Sequence, residues 1–135
     1  MKKKLKCILL IDDNPDDNFM HKHVINKMDV AENIEVALNG EEGITYLTEK
    51  AVQPPELIFL DINMPKMNGW EFLDEYKGLP QEQRAKVVLL MLTTSVNPED
   101  RSRAERIKEL TGFEVKPLVR EKLQAILEEH FAEYL

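Results

Sequence analysis

Asp12-Asp13, Asp61 and Thr93-Thr94-Ser95 each follow directly on a short apolar run: Cys7 to Ile11, Leu57 to Leu60 and Val87 to Leu92. Farther on, Phe113-Glu114-Val115 leads into Lys116-Pro117. If the runs are neighbouring strands, three aspartates, a hydroxyl and an amine share one crevice. Carboxylates gathered in this way repel one another and need a cation at neutral pH. A hard divalent ion with oxygen ligands, Mg2+ most naturally, meets that need. A carboxylate beside such an ion can also act as a nucleophile and take up a phosphoryl group, and Asp61 is the candidate. Phosphoryl transfer asks mostly for positioning and for neutralised oxygens. Thr93 could donate its hydroxyl to one phosphoryl oxygen, and Lys116 could pair with another as a point charge.

Each residue also has an ordinary explanation when taken alone. Asp13 could serve as a turn or capping residue, Thr93 could satisfy local backbone, and Lys116 could be a solvated amine. Asp16 and Asp17 are read as acids of a helix's first turn, favoured there by the helix dipole. That the other positions all fall at successive strand ends is what the ordinary explanations leave unaccounted for.

The elements that must position these residues alternate between strand and helix. Uninterrupted apolar runs of this length suit strands buried on both faces of a parallel sheet. In such sheets ligands bind outside the carboxyl ends of the strands. After the Asp pair, Asn14-Pro15 punctuates, and Phe19, Met20, Val24, Ile25 and Met28 recur at helical spacing. Ile34 to Leu38 is a second strand, and Asn39-Gly40 turns into a helix carrying Ile44, Tyr46 and Leu47. Gly69 opens a helix with Trp70, Phe72, Leu73 and Tyr76, which Gly78 and Pro80 close. Asn97-Pro98-Glu99-Asp100 reads as a cap, a proline at the first helical position and first-turn acids. That fourth helix is poor in apolar residues, with Ala104, Ile107 and Leu110 as its main ones. Leu123, Ile126, Leu127 and Phe131 share one side of the last helix. Five βα units result, and the expected fold is a doubly wound α/β domain with a five-stranded parallel sheet.

Bulk composition narrows the function. The chain has 135 residues, 43% hydrophobic and 32% charged, as a single folded domain would. A net charge of −7 argues against a nucleic-acid partner, which needs clustered Lys and Arg. Lys2, Lys3, Lys4 and Lys6 read as a solvated tail. The five apolar residues between Lys6 and Asp12 are fewer than the about seven of a signal-peptide core. No stretch approaches the ~18 apolar residues of a membrane span. The single Cys7 sits within the first run and reads as a buried structural thiol in a reducing compartment, so the expected location is cytoplasmic. His21, His23 and His130 read as surface or half-buried side chains, and Trp70 as packing.

With these residues in order, the chain resembles, end to end, a response-regulator receiver domain of bacterial two-component signalling. The pieces that carry the resemblance are Ile11-Asp12-Asp13, the stretch Asp61-Ile62-Asn63-Met64-Pro65-Lys66-Met67-Asn68-Gly69, Leu92-Thr93-Thr94-Ser95 and Val115-Lys116-Pro117. The Asp-x-x-Met-Pro-x-Met-x-Gly stretch is the most specific of them. The resemblance implies a flavodoxin-like (βα)5 receiver fold over residues 1–135, with no output domain. It implies that Asp61 is phosphorylated, that Asp13 binds Mg2+ directly, and that Asp12 helps directly or through water. The backbone carbonyl of Asn63 would complete the ligands. Thr93 would be the switch hydroxyl, and it fits that position better than Thr94. Lys116 would pair with the phosphate, its bond to Pro117 cis, and Phe113 would be the aromatic switch residue.

The function expected is a phospho-accepting switch that takes its phosphoryl group from a histidine kinase or a histidine phosphotransfer protein. It would signal to a further protein by contact, assisting its own phosphorylation and dephosphorylation without being a dedicated enzyme. The surface of the fourth helix, last strand and last helix would change when Thr93 and Phe113 move. Two other classes compete: an Mg2+-dependent phosphohydrolase acting through an aspartyl phosphate, and a non-phosphorylated scaffold. The first wants a second acid two residues after the nucleophile, where Asn63 stands.

Overall fold

The computed structural model of the chain describes residues 2–86 and 88–135. Five parallel strands form one sheet in the order β2-β1-β3-β4-β5. They are β1 (Leu5–Ile11), β2 (Ala31–Ala37), β3 (Leu57–Leu60), β4 (Val88–Thr93) and β5 (Gly112–Val115). The expected start of the fourth run, Val87, lies outside the described residues. Between and after them come α1 (Pro15–Met28), α2 (Gly40–Thr45), α3 (Gly69–Tyr76), α4 (Pro98–Glu105) and α5 (Arg120–His130). A π-helical turn, Tyr46–Lys50, extends α2.

The apolar runs bury both faces because alternate residues point to opposite sides. Ile8 and Leu10 of β1, Leu57 and Phe59 of β3, and Leu90 and Leu92 of β4 join Ile25, Leu123, Ile126, Leu127 and Phe131 in one core. Leu9, Ile11, Ile58, Leu60, Leu89 and Met91 join Leu47, Phe72, Leu73, Tyr76 and Ala104 in the other. Helices therefore cover both faces, α1 and α5 on one and α2, α3 and α4 on the other. The expected doubly wound sheet is what forms.

Four helices leave the carboxyl ends of the strands through an asparagine cap. The side chains of Asn14, Asn39, Asn68 and Asn97 accept backbone N–H groups of the first turns they precede, satisfying donors that a helix start leaves unpaired. Asn68 and Glu71 form a reciprocal capping box. These caps fix how each loop turns from strand to helix, and so where the site residues stand.

Several local expectations need correction. In α1 the buried residues are Asn18, His21 and Ile25, while Phe19 and Met20 are 74% and 54% exposed. His21 is a buried side chain rather than a surface one. α4 ends at Glu105, so Ile107 and Leu110 pack from the turn beyond it. Cys7 is half-buried, with its Sγ 3.6 Å from the Tyr46 hydroxyl. Lys6 belongs to β1 rather than to a tail, and the Lys3 amine lies 4.6 Å from the Tyr134 ring centroid.

Candidate functional site

The strand order reverses at β1: the chain builds β2 on one side of it, then crosses to β3 on the other. That reversal opens a crevice at the carboxyl ends of β1 and β3, the place where doubly wound sheets bind ligands. Asp12 follows β1 and Asp61 follows β3, so both stand at its floor. Their amides still extend the sheet: Asp12 N–H donates to the Ala37 carbonyl and Asp61 N–H to the Ile11 carbonyl, at 2.9 and 3.0 Å. Both side chains are held on backbone that cannot drift.

Asp12, Asp13 and Asp61 each offer a carboxylate oxygen within 4.8 Å of the others. Asp12 and Asp61 are buried and Asp13 is exposed. An all-oxygen set of carboxylates this close suits a hard divalent cation, and Mg2+ fits it. Asn63 lies exposed in the loop after β3, two residues past Asp61.

Thr93 closes β4 fully buried, whereas Thr94 is exposed. Its Oγ1 accepts the Ser95 N–H at 3.2 Å, which leaves its own proton free to be donated. The hydroxyl is near enough to Asp61 to favour the ionised carboxylate. Burial nonetheless dominates there and pushes the Asp61 carboxyl up to about 6, against the pull of Lys116.

Lys116 arrives from the end of β5, its N–H donating to the Thr93 carbonyl at 2.7 Å, and its bond to Pro117 is cis as expected. Its Nζ lies 2.6 Å from Asp12 Oδ2, 2.8 Å from Asp17 Oδ2 and 3.6 Å from Asp61 Oδ2. Burial works against this ammonium, but its hydrogen bonds to Asp12 and Asp17 outweigh that and hold its pKa above the ordinary lysine value. Phe113 is half-buried on β5, with the Arg101 guanidinium 5.6 Å from its ring centroid.

The crevice thus brings together Asp12, Asp13, Asp61, Thr93 and Lys116. Two residues read from sequence as ordinary also belong to it. Asp17 does sit in the first turn of α1, as expected, but it is in addition a direct partner of Lys116. His21, four residues on and therefore on the same helix face, accepts the Leu118 N–H through Nε2 at 3.4 Å. Burial lowers the His21 pKa, and the nearby Lys116 charge adds to that. The signal available in the sequence was the polar line Asn14, Asp17, Asn18, His21, which the neighbouring Phe19 and Met20 obscure.

Comparison with known proteins agrees with this geometry. The family model described as "Response regulator receiver domain" matches residues 8–128. A probable chemotaxis protein CheY of Rhizobium etli is 30% identical over 131 residues, 96% of this chain and 94% of that one. Response regulator Rcp1 of Synechocystis sp. is 32% identical over 99 residues, 70% of this chain and 66% of its own length. A crystal structure of a Mn(2+)-bound form of response regulator Rcp1 superposes with TM-score 0.74 and 25% identity over 96% of each chain. A two-component response regulator from Cytophaga hutchinsonii superposes with TM-score 0.83 and 30% identity, over 94% of this chain and 97% of that one.

Proposed function

The chain belongs to the response regulator receiver domain family, and on that premise we propose that Asp61 is the residue on which it accepts a phosphoryl group. It is a phospho-accepting signalling switch rather than a dedicated enzyme. The observation that carries the assignment is the position of Asp61 at the strand-order reversal, with Lys116 Nζ 3.6 Å from Oδ2 and the buried Thr93 hydroxyl beside it.

Receiver domains take phosphoryl groups from histidine kinases or phosphotransfer proteins, and a phosphohistidine of such a partner is the donor proposed for this chain. An Asp61 oxygen attacks phosphorus, the P–N bond breaks, and its electron pair leaves with the imidazole. Asp61 becomes an acyl phosphate. The backbone holds the nucleophile still during this, since Ile62 N–H donates to Asp61 Oδ1 at 2.8 Å. Asp12, Asp13 and Asp61, with the Asn63 backbone carbonyl, would hold Mg2+, which supplies neutralising charge for the phosphoryl oxygens when bound. Thr93 donates its free proton to one phosphoryl oxygen, and Lys116 pairs with another.

The same contacts turn chemistry into signal. Drawing Thr93 toward the phosphoryl group frees space that Phe113 can enter, and this biases the surface of α4, β5 and α5. The expected listener is a further protein that reads that surface. The reading also places the protein in the cytoplasm with its kinase; no helix among the described residues is long and apolar enough to cross a membrane. Asn63, and not a second acid, stands two residues after Asp61, where a phosphohydrolase of this kind would place its general acid.

Acetyl phosphate with Mg2+ should label the chain with one acid-labile phosphate, and Asp61→Asn should take up none. Undiminished labelling of Asp61→Asn would overturn the assignment.

A further inference from the structure

We propose that Asp17 is a positioning residue: it is the counter-ion that keeps the Lys116 amine docked on α1 until a phosphoryl group on Asp61 draws it across. This inference rests on Asp61 being the phosphoacceptor.

One ammonium with three N–H donors faces three carboxylates. Nζ lies 2.6 Å from Asp12 and 2.8 Å from Asp17, but 3.6 Å from Asp61. In the unphosphorylated chain the amine therefore lies closer to Asp12 and Asp17 than to the residue it must later serve. Both flanks of Lys116 are fixed. Its own N–H is bonded to β4 through the Thr93 carbonyl, and the Leu118 N–H is bonded to His21 on α1. The amine must change partners by rotating its side chain, with the loop staying in place.

Asp17 is equally fixed. Asn14 Oδ1 accepts the N–H groups of Asp16 and Asp17 at 2.9 and 3.1 Å and so sets the first turn that presents the Asp17 carboxylate. Asp17 stands outside the group of carboxylates close enough to share a cation. Asp12 has two claims on it, Lys116 and the cation, whereas Asp17 has one. A cation on Asp12 competes with Lys116 there and leaves Asp17 as the anchor of the amine.

Two opposite consequences follow from one contact. By holding Lys116 at 2.8 Å, Asp17 keeps its positive charge from closing further over Asp61, which favours cation entry. By competing with the phosphoryl oxygens for the same amine, it disfavours the phosphorylated state. A residue that merely supported the local fold would favour both.

The full chain provides the test, as wild type, Asp17→Asn, Lys116→Ala and the double variant. Calorimetry gives Mg2+ affinity, and a second titration at saturating Mg2+ gives affinity for beryllium fluoride, a phosphoryl mimic. Asp17→Asn should weaken Mg2+ binding and tighten beryllium fluoride binding, each by about threefold, because the Asp17 carboxylate is 29% exposed and solvent screens part of its charge. Both changes should vanish in the Lys116→Ala background, and Asp17→Glu should restore wild-type values. Weakening of both ligands by Asp17→Asn would show a structural role, and changes that persist without Lys116 would show a diffuse charge effect; either overturns the proposal. Wild-type chain that fails to bind beryllium fluoride would instead sink the Asp61 assignment, and the Mg2+ arm would still judge Asp17.

Discussion

Gly69 approaches Asp61 so closely that a Cβ added to it would stand 2.4 Å from the Asp61 carbonyl oxygen and 3.0 Å from Ile62 Cα. The neighbours in this contact are backbone, so they cannot swing aside as a side-chain tip would. Gly69→Ala must push α3 away from the end of β3, or push the Asp61 backbone into the crevice. The expected cost is about 1–3 kcal/mol, typical of overpacking, with slower labelling by acetyl phosphate. Urea denaturation and the labelling rate measure the two effects, and an unchanged midpoint would contradict this account of the glycine.

Asp61 carries a stability cost of known sign. Its carboxyl is raised by burial from an ordinary 3.8 to about 6, so the folded state holds this proton more tightly than the unfolded one. Stability from this group is therefore full below the ordinary value and is lost as pH rises through about 6. A shift of that size corresponds to roughly 3 kcal/mol at neutral pH. Without Mg2+, Asp61→Asn should be more stable than wild type at neutral pH by up to that order. The difference should shrink toward pH 4, and added Mg2+ should shrink it at neutral pH. Chemical denaturation across pH reads this directly, and a variant less stable than wild type at neutral pH would refute it.

Lys116 provides the charge that lets its carboxylate neighbours coexist in the absence of a cation. Its side chain is 7% exposed, and that of Asp12 is 6% exposed, so neither charge is well hydrated. Lys116→Ala should cost about 2–4 kcal/mol, because removing one partner of a buried pair strands the other. Mg2+ should then stabilise the variant by more than it stabilises wild type, since nothing competes for Asp12. Denaturation with and without Mg2+ decides it; an equal Mg2+ gain in both chains would show that Lys116 does not compete with the cation.

How far the sequence revealed these relations depended on local pattern. Asp12, Asp61 and Thr93 were legible because uninterrupted apolar runs lead up to them in β1, β3 and β4, and the polar residue that ends such a run must stand at its rim. Asp17 was hidden because its position at a helix start already had a sufficient cause in the dipole. What gives it a second role is Lys116, 99 residues away, a distance no local pattern spans. His21 was missed for a related reason. Phe19 and Met20 mark the wrong face of α1 as apolar, while the inner face near the crevice is polar because the crevice is. α4 was read too long because Ile107 and Leu110 continue its spacing, although the helix stops at Glu105 and they pack from a turn.

α4 rests on two guanidinium–aromatic stacks more than on a core face. Its buried residue is Ala104, while the Arg103 guanidinium lies 4.3 Å from the Trp70 ring centroid and Arg101 lies 5.6 Å from that of Phe113. Such stacks contribute roughly 0.5–2 kcal/mol each, small enough for a change at Asp61 to rearrange. If Phe113 turns inward on phosphorylation, Arg101 loses its ring and α4 is left hanging from Trp70. Trp70 is the single tryptophan of the chain, so its emission reports that helix. Beryllium fluoride with Mg2+ should therefore shift Trp70 fluorescence in wild type. Arg103→Ala should change the resting emission and remove most of the shift, while Asp61→Asn should remove the shift and keep the resting emission close to that of wild type. Arg101→Ala should bring the unphosphorylated chain part of the way to the shifted emission, because the contact that holds Phe113 outward is gone. An Arg101→Ala spectrum identical to wild type, with a full shift on beryllium fluoride, would mean that Phe113 is held outward by its packing and not by the guanidinium.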